Sequence, residues 1–125
     1  MLTHYQDIHA FVTKDGSQIR ELMHPKQHGN SQQSLAEATV APGGETRQHR
    51  HLTTEEIYHI TQGIGLMRLG EEVFEVHVGD SVCISPGTLH NIRNIGEVPL
   101  KILCCCSPPY RDSDTELAES ATELV

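Results

Sequence analysis

His49 and His51 stand one residue apart in the run His49-Arg50-His51-Leu52-Thr53-Thr54-Glu55-Glu56. On an extended chain, side chains two apart share a face and sit about 7 Å apart along the backbone, so two imidazoles can converge on one ion. A glutamate from the next strand can add a carboxylate. A histidine from a third strand, His90 behind the turn Pro86-Gly87, completes three nitrogens and one oxygen. The set His49, His51, Glu56 and His90 suits one divalent ion per chain, drawn from iron, manganese, nickel, cobalt and zinc. Such an ion acts as a Lewis acid on adjacent substrate oxygens, as in an enediol, a hydroxy acid or a diketone. Iron adds dioxygen activation; manganese, zinc or nickel fits isomerisation, decarboxylation or lyase chemistry better. An HxH pair alone carries little weight, because such pairs are common.

These residues need short strands to position them, and the sequence supplies them. Ile8–Thr13 and Ser17–Met23 read as strands around the turn Asp15-Gly16, and 24–34 reads as a polar rim loop. Leu35–Ala41 alternates and stops at Pro42-Gly43-Gly44. Glu45–Leu52 is polar throughout, which makes sense in a core only if its side chains converge on something. Glu56–Thr61, Ile64–Leu69, Val73–Val78, Ser81–Ser85, His90–Asn94 and Leu100–Cys106 follow, separated by glycine-rich turns. Eight to ten short strands without a long helical period predict a β-sandwich or barrel. Residues 1–34 are expected as N-terminal strands and a loop packing on a barrel core of 35–107. Residues 108–125 are a C-terminal segment, in which Thr115–Val125 reads as a short acidic helix or a frayed tail.

At this point the sequence resembles the cupin superfamily. The first cupin motif, Gly, five residues, His-x-His, three or four residues, Glu, six residues, Gly, is met by Gly43, His49, His51, Glu56 and Gly63. The second is met by Gly79, Gly87, His90 and Asn94, with Ser85 where the usual proline stands and Pro86 one place later. Glu55 and Glu56 both fall within the permitted spacing from His51; Glu56 alone leaves six residues before Gly63 and is assigned as the ligand. The resemblance implies an all-β double-stranded β-helix, a jelly-roll cupin barrel in a small single-domain protein. It also implies the four-ligand metal site. It does not choose a reaction, since the superfamily spans dioxygenases, decarboxylases, isomerases, lyases, storage proteins and sugar-binding domains. The expectation is a mononuclear metal-dependent enzyme acting on a small oxygen-rich substrate. The alternatives are a metal- or sugar-binding module without turnover and a storage-like barrel.

Strand parity extends the candidate pocket. If β geometry runs back to Arg47, that residue shares the face of His49 and His51 and could hold a substrate carboxylate; otherwise it is a solvent arginine or pairs with Glu45. Alternation from Glu56 turns Tyr58 and Ile60 inward and Ile57 and His59 outward, and Tyr58 either donates a hydrogen bond to substrate or packs. Asn94 is expected to tie down the loop carrying His90. Cys104 and Cys106 share one face and Cys105 the other, as small buried residues or as groups near the metal. Tyr110, beyond Pro108-Pro109, could fold back over the pocket mouth.

The bulk composition narrows the partners. A net charge of -8 without a basic cluster argues against nucleic acid and anionic membrane. The sequence has no dinucleotide-binding glycine motif, no P-loop and no nucleophile elbow, so nucleotide-dependent chemistry is not expected. Three of the four cysteines are adjacent, which fits neither a disulfide framework nor a zinc knuckle. The first residues form no signal peptide, and a reducing, cytoplasmic setting is the expectation. The resemblance also implies a homodimer through edge strands and N-terminal segments, and sheet edges that need cover agree with it.

Overall fold

A computed structural model describes residues 1–118. Its strands are β1 (Phe11–Val12), β2 (Gln18–Met23), β3 (Ser34–Val40), β4 (His49–His51), β5 (Glu55–Gln62), β6 (Gly65–Leu69), β7 (Glu72–Val76), β8 (Ser81–Ile84), β9 (His90–Asn94), β10 (Leu100–Ser107) and β11 (Thr115–Leu117). They form two antiparallel sheets in the orders β1-β2-β3-β10-β5-β8 and β11-β4-β9-β6-β7. This is the jelly-roll arrangement of a double-stranded β-helix. Among the described residues, no helix is long and apolar enough to cross a membrane.

The alternation of each strand sets what lies between the sheets. On β5, Glu56, Tyr58 and Ile60 are buried and Ile57 is exposed, as parity requires. On β10, Leu100, Ile102, Cys104 and Cys106 are buried. The two strands pair antiparallel with Ile102 opposite Ile60, Cys104 opposite Tyr58 and Cys106 opposite Glu56. The interior is therefore graded along the strands. Ile60, Met67, Ile92, Leu100 and Ile102 make an apolar core toward one end, with Ile84 reaching beside Glu56. The histidines and Glu56 occupy the other. Each fully buried aliphatic side chain contributes about 2 kcal/mol, so the apolar end stabilises a barrel whose polar end costs solvation.

Two strands depart from expectation. Strand β4 covers only His49–His51 rather than all of Glu45–Leu52; Glu45 makes an isolated bridge to Arg93. The helix expected from Thr115 is overturned at its start, because Thr115–Leu117 form β11, paired with β4. The free edge of β4 offers unpaired backbone groups, and pairing them outweighs the helical preference of three residues. The rest of that expected helix, 119–125, lies outside the described residues.

Asp114, just before β11, clamps the turn that joins β4 to β5. Its carboxylate accepts the Thr53 amide at 3.0 Å, the Thr53 hydroxyl at 2.7 Å and the Thr54 amide at 3.1 Å. Burial alone would raise its pKa, but these donors outweigh burial and hold it below the usual carboxylate value. A folded pKa below the unfolded one gives stability that is complete above the unfolded pKa, near ~4, and is lost as the pH falls through the folded value. Asp114→Ala is expected to cost about 2–3 kcal/mol at pH 7, with the difference from wild type shrinking below about pH 4. Urea unfolding at pH 7 and pH 3 checks it; an equal loss at both pH values would exclude a charged clamp.

Candidate metal centre

The histidines are brought together by register. His49 and His90 face each other directly in the β4–β9 pair, and their ring centroids are 4.2 Å apart. His51 lies two residues further on the same face of β4, 5.2 Å from His49 and 5.5 Å from His90 between ring centroids. One ring nitrogen from each of the three lies within 4.8 Å of the others, and all three residues are buried. Glu56 comes from β5 in the opposite sheet. Its Oε1 lies 3.1 Å from His51 Nε2 and 3.7 Å from His90 Nε2. The carboxylate thus joins the trio from across the barrel.

Hydrogen bonds behind the rings fix which nitrogen faces inward. His49 Nδ1 donates to the Arg47 carbonyl at 2.8 Å, and His90 Nδ1 donates to the Thr88 carbonyl at 3.0 Å. His51 Nδ1 is 3.0 Å from Thr115 Oγ1, whose own proton goes to the Arg111 carbonyl at 2.9 Å, so the hydroxyl accepts from the imidazole. All three rings therefore hold a proton on Nδ1 and turn Nε2 toward the common centre. Acceptors behind the ligating ring are what a metal-binding histidine needs.

The same geometry tests whether an ion fits. His90 is 0% exposed, and its Nε2 has no hydrogen-bond partner. A buried nitrogen lone pair left this way costs about 1–3 kcal/mol, and a divalent cation at the centre would satisfy it. Burial and the neighbouring His90 imidazole push His49 down to about 4, which keeps that ring neutral near pH 7. Three imidazoles and one carboxylate are ready to receive a cation.

A cavity opens beside this centre. Tyr58 lines it and is buried, and among the described residues its hydroxyl makes no hydrogen bond. Burial and the charge of Glu56 raise its pKa well above that of an ordinary tyrosine, so the hydroxyl stays a donor. Tyr110 folds back over the pocket as expected, with its ring edge-on to His51 at 5.8 Å. Cys104 and Cys106 both line the cavity. Cys106 Sγ donates to Glu56 Oε2 at 3.4 Å, and burial raises its thiol pKa so that the proton stays on sulfur. That contact occupies Oε2 and leaves Oε1 to the imidazoles.

Two site expectations are corrected. Arg47 is exposed and is not among the residues lining the cavity. Strand geometry starts only at His49, so parity cannot be carried back, and Thr46 is the buried residue instead. Arg47 serves through its backbone, receiving the His49 proton and donating its amide to the Asp15 carbonyl at 2.7 Å. Asn94 does tie down a loop, but the one after β9 rather than the one before His90. It donates to the carbonyls of Val40 and Val98 at 2.9 and 2.8 Å and accepts the Gly96 amide at 2.9 Å. The loop before His90 is held by the Gly87 amide, which donates to the His51 carbonyl at 2.7 Å with Gly87 at φ 83°.

The sequence reading missed Asp15. It lies in the β1–β2 turn, and its Oδ2 reaches to 3.7 Å from His49 Nε2. Its Oδ1 accepts from Thr13 Oγ1 at 2.9 Å, the Ser17 amide at 2.9 Å and Ser17 Oγ at 2.6 Å. Glu21 on β2 also lines the cavity. Nothing in the local sequence marks either residue as part of the site.

Comparison with known proteins agrees with this architecture. Residues 36–106 match the family described as Cupin domain. An uncharacterized protein of Methanocaldococcus jannaschii, MJ1618, is 56% identical over 117 residues, covering 94% of each chain. Among solved structures, the polyketide cyclase RemF of Streptomyces resistomycificus superposes with TM-score 0.80 at 20% identity, over 97% of this chain and 87% of that one. The oxalate decarboxylase of Lactobacillus farciminis superposes with TM-score 0.80 at 23% identity, over 97% of this chain and 38% of that one.

Proposed function

This chain belongs to the cupin domain family, and we propose that it is a metal-dependent cupin enzyme acting on a small oxygen-rich molecule. His49, His51, Glu56 and His90 would hold one divalent ion per chain. The observation that carries the reading is the orphaned Nε2 of His90, buried among imidazoles whose Nδ1 protons are all committed elsewhere. When bound, the ion supplies Lewis acidity toward paired substrate oxygens. The chain's own groups do the rest. Thr115 and the carbonyls of Arg47 and Thr88 orient the rings, and Cys106 holds the rear oxygen of Glu56. Tyr58 offers a free hydroxyl to a substrate oxygen. Tyr110 and the apolar wall shield the centre from water.

A polar cavity group beyond the ligands, the Tyr58 hydroxyl, favours an enzyme over a module without turnover. The cyclase and decarboxylase among the structural neighbours support the same reading, without choosing between isomerase, lyase, decarboxylase or dioxygenase chemistry. We place the protein in a reducing, cytoplasmic compartment, consistent with its four free cysteines. We also place it in a homodimer through its sheet edges.

Metal analysis of untagged protein tests the core of this proposal. About one equivalent of a transition metal is expected, as isolated or after reconstitution. Substrate-dependent oxygen uptake in air would select dioxygenase chemistry, and turnover under nitrogen would select the others. Protein that takes up no metal in either state would sink the reading.

A further inference from the structure

The cavity has a charge that bears on which molecule it admits. Its lining includes the carboxylates of Asp15, Glu21 and Glu56 and no lysine or arginine. With a divalent ion in place, three negative charges oppose two positive ones. His24, which approaches Glu21 to 3.9 Å, does not redress the balance. Its Nδ1 accepts the Lys26 amide at 3.1 Å while its Nε2 lies 2.8 Å from the Tyr110 carbonyl, the pattern of a neutral imidazole. Asp15 is held in place by three donors on Oδ1, which leaves Oδ2 facing the centre. Opposite the histidines, Ala36, Ala38 and Ile19 form an apolar patch with Glu21 beside Ala36 at its edge. The hydroxyl of Tyr58, a donor, also lines this space.

We propose that the cavity takes an uncharged molecule with an apolar body and one oxygenated edge, of enediol, enol-ketone or diketone type, and that Asp15 and Glu21 reject dianions. A dicarboxylate such as oxalate therefore drops out of the candidate substrates. A dianion entering would meet net negative charge at close range with no guanidinium or ammonium to receive its second carboxylate. An uncharged chelator brings paired oxygens to the ion, accepts from Tyr58 and lays its body on the alanine wall. This inference rests on the metal-site reading and adds the charge class of the ligand.

The test titrates the 125-residue chain, loaded with cobalt(II), with maltol (a hydroxypyranone, neutral in solution, that releases its hydroxyl proton to the solvent on chelation) and with oxalate. Binding is read from the visible absorption of the cobalt, and retained metal is measured after each titration. In Glu21→Gln and, separately, Asp15→Asn, oxalate affinity is expected to rise about tenfold, the effect of removing one nearby charge in a partly screened site. Maltol affinity should stay within about threefold of wild type in both. A rise in either variant alone supports the proposal and assigns the selecting carboxylate. Oxalate affinity unchanged in both variants overturns it while leaving the metal site intact. Loss of cobalt from both variants also overturns it, because the carboxylates would then hold the ion rather than sort its ligands. If wild-type protein takes up no cobalt, the metal reading falls and this inference falls with it.

Discussion

His90→Ala is expected to weaken metal binding at least about 100-fold while leaving the barrel folded. A complete site of four protein donors is worth roughly 10–16 kcal/mol. Removing one donor forfeits on the order of 3 kcal/mol, which is about two decades in affinity. The metal-free protein should register the change weakly. His90 packs at 0% exposure, so truncation opens a small cavity, yet it also removes a buried nitrogen without a partner. These terms oppose each other at about 1–3 kcal/mol each. Thermal unfolding then separates the two states. Metal at ~1,000 times its dissociation constant stabilises wild type by about 4 kcal/mol, and the same concentration stabilises the variant by only about 1.4 kcal/mol. Equilibrium competition against a chromophoric chelator gives the affinities directly. Wild-type metal affinity in His90→Ala would show that the buried nitrogen is a packing accident.

The site was legible where alternation could be trusted and invisible where it could not. His49 and His51 share a face because β4 spans both, and Glu56 and Tyr58 share one because β5 alternates regularly from Glu55 to Ile60. Cys104 and Cys106 follow for the same reason on β10. Arg47 failed because the backbone between Thr46 and His49 is not a strand, so counting by twos loses its physical basis there. Asp15 failed differently. Asp15-Gly16 does make a turn, with Gly16 at φ 90°, but the same turn swings a carboxylate to His49. That contact depends on β2 pairing with β3 and on the Asp15 carbonyl receiving the Arg47 amide. No window around residue 15 contains either partner.

The C-terminal strand shows tertiary context overriding local preference. Thr115-Glu116-Leu117 is too short for a period, and the residues after it favour a helix. Yet β11 places Thr115 opposite His51 and thereby supplies the acceptor for its Nδ1 proton. Asp114, which directly precedes this strand, caps the β4–β5 turn. The two residues retain the chemistry of a cap, hydroxyl and carboxylate facing backbone and ring donors, and apply it to the metal centre.

The motif glycines Gly63 and Gly79 allow a prediction that splits backbone strain from packing. Both adopt positive φ, 88° and 93°. A Cβ on Gly63 would lie 3.1 Å from Leu100 Cα and 3.2 Å from the Pro99 carbonyl oxygen, while a Cβ on Gly79 meets nothing within 4 Å. The neighbours of Gly63 are backbone atoms at the start of β10, and they cannot swing aside like a side-chain tip. Gly79→Ala should therefore cost only the conformational term, about 1–2 kcal/mol. Gly63→Ala adds an overpacking term of about 1–3 kcal/mol and totals roughly 2–5 kcal/mol. Against a typical stability of about 5–15 kcal/mol, that is a large fraction, and the melting temperature should fall on the order of 10 °C. Chemical denaturation of both variants decides the matter. Equal losses would mean that positive φ alone keeps glycine at these positions. A larger loss for Gly63→Ala would mean that its motif position is fixed by how closely β10 must pass the end of β5, the strand that carries Glu56 into the site.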